Sequence, residues 1–228
     1  MVTRRSEQSR LEAFSDGVFA LAATLLVVSL EVPTTLGEML VELSGIAAFA
    51  LGFAALILIW SVHNAYFRRY GLQDAWTVAL NGCLLFVVLY YVFPLKFVAA
   101  GFAGHVLGLG GGSQLRLVSS LDELGTLFLL YGLGFVLIFA LVALMYRHAV
   151  RRAEVLALDA HELWEARMLM RHYWIFVAVG VVSMLLAWSG AGLQYGVPGY
   201  AYALIGPLCW WHGAWSDQRR PGRTPALS

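Results

Sequence analysis

The chain has 228 residues, of which 60% are hydrophobic and 13% are charged, and its formal net charge is +1. A mean hydropathy of +0.73 excludes an ordinary soluble domain and predicts an integral membrane protein. The near-neutral charge gives no indication of a nucleic acid partner, so we expect none. Cys83 and Cys209 each lie in an apolar run, which predicts neither a disulfide framework nor a zinc cluster.

Six apolar stretches are each long enough for a spanning helix, which needs about 20 residues. They cover about residues 13–33, 41–67, 75–99, 122–146, 172–193 and 195–215. We therefore predict an all-α polytopic membrane protein in which residues 1–228 form one six-span domain. The sixth stretch contains Pro198 and Pro207, so the pattern does not define its ends or its straightness.

The first stretch carries a carboxylate, Asp16, near the start of an apolar helix. A charge within the bilayer costs about 3 kcal/mol even on lenient insertion scales, so Asp16 is predicted to serve function or assembly. At roughly 100° per residue the helix has two distinct arcs. One is aliphatic with a single hydroxyl, and consists of Leu21, Thr24, Leu25 and Val28. The other carries the carboxylate and is expected to face the scaffold: Asp16, Ala20, Ala23 and Val27.

A short motif in this helix resembles a known family. Arg10-x-x-x-Phe14-Ser15-Asp16, with Thr24 eight residues after the aspartate, is similar to the signature first helix of the transmembrane protein 175 family. These are the potassium-permeable channels of endosomes and lysosomes and their single-repeat prokaryotic relatives. Trp60-x-x-His63, and Asn81 with Pro94, also resemble residues of the family.

The resemblance implies six spans per subunit and a homotetramer in which four first helices line the pore, without a Thr-Val-Gly-Tyr-Gly filter. It implies a hydrophobic gate formed by Leu21, Leu25 and Val28, with Leu21 where an isoleucine is usual and Val28 where a leucine is common. From periodicity alone, an aliphatic stripe of this kind more often packs inside one subunit, and the resemblance reverses this order. Thr24 either coordinates a partly dehydrated cation and gives selectivity or bonds a carbonyl of its own helix.

Polar residues on the first three predicted spans fall at a similar depth. Lipid offers no hydrogen-bond partner, so such residues usually bond across helices. We predict a polar network that ties the first helix to the scaffold, formed by Ser15, Asp16, Trp60, His63 and Asn81, to which the resemblance adds Arg10 and Phe14. The alternative is that water near the interface satisfies each residue separately.

Arg10 raises a separate question, because a continuous helix would place it on the Leu21 side. A free guanidinium at the mouth of a pore would repel cations. Either the helix begins after Arg10, or a carboxylate from elsewhere neutralises it.

Basic residues predict the orientation. With six spans, 13 of the 15 Lys and Arg residues lie on one side, and Lys96 and Arg116 remain for the other. The positive-inside rule then predicts a multi-pass protein of the plasma (inner) membrane with both termini in the cytoplasm. The connection at 147–171 mixes charged and apolar residues, which is typical of a cytoplasmic or interfacial helix.

No catalytic pattern is present. His161 and Glu165 lack the second histidine of a zincin, and the Gly-rich loops follow no predicted strand, so we expect no enzyme, resident metal or cofactor. With the resemblance, the prediction is a potassium-permeable, weakly selective cation channel whose partners are its own copies, the lipid bilayer and monovalent cations. Two other classes stay open: a proton-coupled or proton-carrying transporter that uses Asp16 and His63, and a membrane scaffold without flux.

Overall fold

The structure is a computed structural model that describes residues 10–28, 34–37, 39, 46–105 and 120–221. Within these ranges the chain forms helices joined by turns and short connections, with no β-strand. The predicted all-α class is therefore confirmed for the described part. The five long helices are α1 (Arg10–Val28), α2 (Ile46–Tyr70), α3 (Ala75–His105), α4 (Leu121–Arg151) and α5 (Ala160–Ser189).

Several of these helices can cross a membrane. Among the described residues, four segments are long and apolar enough: Ile46–Tyr70, Ala75–Val92, Leu121–Arg151 and Ala160–Ser189. The remaining long helix, α1, has 19 residues and includes Glu12 and Asp16. The chain is thus an integral membrane protein with several apolar helices.

The stretch predicted as a sixth span, 195–215, is not one regular helix. A 3₁₀ turn at Leu193–Tyr195 is followed by α6 (Val197–Tyr200), a second 3₁₀ segment (Ala201–Leu204) and α7 (Ile205–Asp217). Pro207 explains the interruption, because it has no N–H to donate and its ring crowds the carbonyl four residues earlier. The backbone there tightens into 3₁₀ geometry, and helical structure still extends from 197 to 217.

The fifth helix begins earlier than its predicted start at 172. Asp159 is its N-cap: the Asp159 side chain accepts from the backbone N–H of Glu162 (2.8 Å), and the backbone N–H of Asp159 donates to the Glu162 side chain (3.1 Å). This capping box starts α5 at Ala160. Gly190, in the left-handed region at φ 73°, ends it. The connection at 147–171, predicted as a cytoplasmic or interfacial helix, therefore consists of the last turn of α4, a non-helical turn at 152–159 and the first turns of α5.

The helices pack around a core rich in aromatic rings. Edge-on and tilted ring pairs, with centroids 5.3–5.7 Å apart, join α2 to α4 and α4 to α5 through Tyr66, Tyr70, Tyr146 and Tyr173. The first helix packs against α2 and α3. This arrangement places one side of α1 against the scaffold and leaves the other side uncovered within the subunit.

Candidate functional site

One arc of α1 is buried against the scaffold. Ser15 and Ala22 have 0% exposed surface, Leu26 has 1% and Phe19 has 4%. The spacing of four, three and four residues repeats once per turn, so these side chains form one continuous stripe. This stripe is the contact of α1 with α2 and α3.

The opposite arc is apolar and uncovered within the subunit. Leu21 is 51% exposed, Thr24 is exposed, and Leu25 is half-buried at the edge of the core. Val28 is the last residue of α1. The structure thus brings Leu21 and Thr24 onto one uncovered face, with Leu25 at its border.

The register of α1 differs from the predicted one. Ala20 and Val27, expected on the scaffold side, are exposed, and Ala23 is half-buried. The packed stripe is rotated by about 100° from the arc expected around Asp16. The reason is that Asp16 does not need to sit at the centre of the contact, because a side chain from α2 reaches it at the edge.

That side chain is Trp60. Its indole Nε1–H donates to Asp16 Oδ1 at 2.9 Å, across 44 residues of sequence. Asp16 is half-buried. A hydrogen bond from an indole N–H to a carboxylate oxygen thus joins α1 to α2. Hydrogen bonds to a carboxylate are stronger than those between neutral groups.

A second chain of hydrogen bonds joins three helices. The Ser15 hydroxyl donates to the carbonyl of Leu11 at 2.8 Å, so its oxygen is left to accept. Asn81 Nδ2 donates to that oxygen at 2.9 Å, which turns Asn81 Oδ1 toward His63 Nε2, 2.7 Å away. His63 must therefore be the donor at Nε2. The direction of each bond follows from the one before it, starting at the Leu11 carbonyl.

His63 is enclosed by aromatic rings. Its surface is 3% exposed, and its ring lies 5.3 Å from Phe19 and 4.7 Å from Phe67 between centroids. The other ring nitrogen, Nδ1, is buried without a hydrogen-bond partner. This environment suits a neutral imidazole with its proton on Nε2, since a second N–H would be a buried unpaired donor.

Arg10 and Phe14 are not part of this buried chain. Phe14 is 64% exposed, and Arg10, the first residue of α1, is also exposed. Both lie at least 100° around the helix from Ser15. Arg10 is already helical in the described part of the chain, so it lies on the same side of α1 as Leu21.

The Thr24 hydroxyl donates to the carbonyl of Ala20 at 2.9 Å. Its proton is thus committed to the helix, and its oxygen, on the exposed arc, keeps lone pairs that can accept. A hydroxyl held in this way can still act as an oxygen ligand for a cation.

The structure also contains an ionic cluster that sequence reasoning missed. Asp74, just before α3, accepts from the N–H and the hydroxyl of Thr77 at 2.9 and 2.8 Å. Its other oxygen lies 2.7 Å from Nε2 of His148, in the last turn of α4, and 3.2 Å from Nη2 of Arg152, the residue that follows α4. The spacing of Asp74 and Thr77 before an apolar run is an N-cap signal. The partners on α4 carry no such local signal.

Partial burial raises the pKa of Asp74, but the hydrogen bonds from Thr77, His148 and Arg152 lower it more, and the pKa lies well below its usual range. A second ionic contact lies on the same side of the bundle, where Arg69 Nη2 donates to Glu165 Oε2 at 2.6 Å. These contacts tie the ends of α2 and α3 to α4 and α5.

The described ranges contain no cluster of three or more His, Cys, Asp or Glu residues positioned to hold a metal ion. The site is therefore built from an apolar arc, a hydroxyl and a hydrogen-bonded anchor.

Comparison with known proteins identifies the relatives of this chain. The model of the family described as endosomal/lysosomal potassium channel TMEM175 matches residues 10–91, which include every residue of the site. A protein of Marivirga tractuosa named as a potassium channel is 36% identical over 187 residues, which is 80% of this chain and 76% of that protein. A potassium channel of Chamaesiphon minutus is 36% identical over 106 residues, 42% of this chain and 51% of the relative.

Solved structures are similar as well. A crystal structure of a variant of the potassium channel MtTMEM175, in complex with a nanobody–MBP fusion protein, has a TM-score of 0.82 and 32% identity over 94% of this chain and 96% of that one. A TMEM175 homologue from Chamaesiphon minutus, described as a lysosomal potassium-selective channel homologue, has a TM-score of 0.57 and covers 88% of this chain and 99% of that chain. At 24% identity, it supports the fold alone.

Proposed function

The chain belongs to the TMEM175 family of potassium channels, and from this premise we propose that it is a potassium-permeable, weakly selective cation channel, a homotetramer with four α1 helices around the pore. As a member of an ion-channel family, it is not an enzyme. The Marivirga tractuosa relative and the MtTMEM175 structure are both named as potassium channels, which supports potassium as the permeant ion. We propose in addition that α1 lines the pore, that it carries the gate, and that the channel is a homotetramer.

The observation that carries the proposal is the division of α1 into two arcs. One arc is buried with Ala22 at 0% exposure, while Leu21, one residue away, is 51% exposed. A 19-residue helix with one aliphatic face held by its own subunit and another left uncovered is suited to meet copies of itself around an axis. One copy cannot enclose an ion path, so a channel built on this helix needs several subunits.

Three aliphatic rings would then close the path. Leu21, Leu25 and Val28 recur at intervals of one turn, and four copies stack their side chains over about 11 Å at 1.5 Å per residue. Apolar rings of this kind exclude water and block ions without a separate plug. Opening would rotate or splay the α1 helices, and the half-buried position of Leu25 means that a modest rotation changes which side chain faces the axis.

Thr24 is the proposed selectivity residue. Its hydroxyl proton is bonded to the carbonyl of Ala20 at 2.9 Å, so four copies would present four oxygen lone pairs to a cation. Neutral oxygens replace part of the hydration shell of an ion but provide no charge. Weak selectivity for potassium over sodium follows from such a ring.

The test is to make the narrowest ring polar. Leu21→Asn should wet the ring and raise the conductance at rest, measured as single-channel currents from purified protein in a planar bilayer. The matched control is Leu58→Asn, because Leu58 on α2 is exposed to a similar extent, 56%, but lies outside the proposed pore. An unchanged closed state in Leu21→Asn, with normal oligomer content, would remove α1 from the pore.

The same recording separates the channel from the carrier. A carrier would give flux without unitary steps, and the flux would disappear in Asp16→Asn. A proton carrier needs a titratable group that water reaches, whereas the His63 side chain is 3% exposed and lies between two phenylalanine rings. These contacts favour the anchoring role for His63.

We further propose that α1 and the 197–217 run complete six spans in the plasma membrane, with both termini cytoplasmic. Arg68→Cys should then react with an impermeant thiol reagent from the cytoplasmic side, and Ser113→Cys from the outside. Labelling of both positions from one side would exclude this topology.

A further inference from the structure

Two histidines on different helices face each other away from the proposed pore. His172 is on α5 and His212 is on α7. Their Nδ1 atoms are 3.2 Å apart, and their ring centroids are 5.2 Å apart with planes at 70°. Neither the family motif nor the proposed channel mechanism uses this pair.

The separation of the two nitrogens fits a shared metal ion. Imidazole nitrogen binds zinc at about 2.05 Å, and two such bonds that span 3.2 Å enclose an angle of about 103° at the metal. This angle lies between the about 90° of square or octahedral sites and the about 109° of tetrahedral ones. The separation of the two nitrogens is therefore compatible with one ion bound by both rings.

The second nitrogen of His212 has a partner that favours the metal-binding tautomer. Ser216, one turn further along α7, has its hydroxyl oxygen 3.5 Å from His212 Nε2, a contact at the long end of hydrogen bonding. If Nε2–H donates to this buried hydroxyl, the lone pair of His212 is on Nδ1, facing His172. Metal-bound histidines are commonly oriented by such a contact through the other ring nitrogen.

The surroundings suit a labile ion rather than a closed structural site. Both histidines are partly exposed, so ions can enter. No third His, Cys, Asp or Glu is positioned with them in the described chain, so water would complete the coordination. The exposed guanidinium of neighbouring Arg171 weakens the attraction for a cation, which also favours moderate affinity.

We propose that His172 and His212 form a two-histidine site for a divalent transition-metal ion of the Zn²⁺, Ni²⁺ or Cu²⁺ class, which joins α5 to α7. Imidazole pairs select these ions over Mg²⁺ and Ca²⁺, which prefer oxygen ligands. The site lies outside α1 and does not depend on the proposed channel function.

The experiment uses full-length protein without a histidine tag, purified in detergent and stripped with a chelator. Calorimetric titration with Zn²⁺ and with Ni²⁺ should give one site per chain, and Mg²⁺ should give none. His172→Ala and His212→Ala should each weaken binding at least tenfold. His161→Ala is the matched control, because His161 is also a partly exposed histidine on α5 but contacts Arg220 instead, and it should bind as the parent does.

A measurement on the parent protein keeps the proposal testable if a variant misfolds. With one equivalent of Cu²⁺, pulsed electron paramagnetic resonance should detect the remote nitrogens of two imidazoles. Zinc should also raise the Tm of the parent protein, and the increase should be absent in His212→Ala. Absence of a stoichiometric site, a signal from one imidazole, or equal affinity in all three variants would overturn the proposal and leave the pair as a hydrogen bond between neutral histidines.

Discussion

Two polar networks in the described part of the chain differ in charge and in burial. The chain through Ser15, Asn81 and His63 is fully inside the bundle and uses neutral groups. The cluster around Asp74 is at the helix ends, where the Asp74 side chain is 24% exposed and its partners include Arg152. A chain of neutral groups avoids the cost of burying charge, but removing one member leaves buried polar groups without hydrogen-bond partners. Breaking an exposed ion pair costs little free energy, because water replaces the lost partner.

Under the proposed mechanism, the two networks would have different roles in the channel. The buried chain anchors α1, the helix with the uncovered aliphatic arc, while the ionic cluster joins α3 to α4 away from it. A channel whose pore helix moves needs a scaffold that stays in place. The contrast therefore predicts that damage to the two networks will differ in size and in its response to pH and salt.

The largest effect is expected from removing the centre of the buried chain. Asn81→Leu leaves the buried His63 Nε2–H without an acceptor, which costs about 1–3 kcal/mol, and also removes the hydrogen bond donated to the Ser15 oxygen, which contributes about 1 kcal/mol. We expect a loss of about 2–4 kcal/mol in the free energy of unfolding, measured by SDS titration in mixed micelles. Ser61→Ala is the control, because the Ser61 hydroxyl bonds its own helix at an exposed position. Equal effects of the two substitutions would contradict the anchor.

A smaller effect should come from the bond between α1 and α2. Trp60→Phe removes the donor of the 2.9 Å contact and Asp16→Ala removes its acceptor, and the double variant should lose less stability than the sum. Side-chain hydrogen bonds within membranes couple by about 0.6 kcal/mol on average and about 1.7 at most, so we expect a coupling of about 1 kcal/mol. Strict additivity in the same micelle titration would mean that the bond contributes nothing.

These residues also indicate how far the sequence alone could predict the structure. Apolar length predicted the α-helical membrane class, and equal depth predicted that Ser15, His63 and Asn81 belong together. Periodicity shows which residues of α1 share an arc, but not which arc faces the bundle, because that depends on the shapes of α2 and α3. The expected scaffold arc was therefore rotated from the buried one.

At two places where the predicted helix ends differ from those in the structure, the sequence does contain a local signal for the observed end. The sequence Asp-x-x-Glu at Asp159 and Glu162 is the pattern of a capping box, and Pro207 indicates the break in the last helical run. The contact of Asp74 with His148 was not predictable, because it joins residues 74 positions apart that share no periodic pattern. Tertiary packing alone brings them together.

The ionic cluster should respond to pH. The pKa of Asp74 in the folded protein lies below its unfolded value, so the carboxylate stabilises the fold above about pH 4 and loses this contribution as the pH falls through the lower, folded pKa. Asp74→Asn should lower the stability at pH 7 by about 1 kcal/mol or less, as for a partly exposed pair. The difference in Tm between parent and variant should begin to shrink as the pH falls below about 4 and should continue to shrink at lower pH. A constant difference would rule out the carboxylate as its cause.

The smallest effect, and the sharpest contrast with the buried chain, is expected from the Arg69–Glu165 pair in salt. Both side chains are about 30% exposed, at 28% and 30%, and the two guanidinium nitrogens face the two carboxylate oxygens. Lysine cannot reproduce this fork, so Arg69→Lys should cost about 0.5 kcal/mol, in the range of exposed pairs.

Salt distinguishes the two kinds of contact, because the Debye length falls from about 10 Å at 0.1 M to about 3 Å at 1 M. The stability lost in Arg69→Lys, measured by SDS titration, should therefore decrease between 0.1 and 1 M NaCl. The loss in Asn81→Leu should not change, since neutral hydrogen-bonding groups buried at 0–3% exposure are not screened. If both losses fell equally with salt, the salt would be acting on the micelle or the unfolded state. The distinction between the neutral buried chain and the ionic contacts at the helix ends would then lose its support.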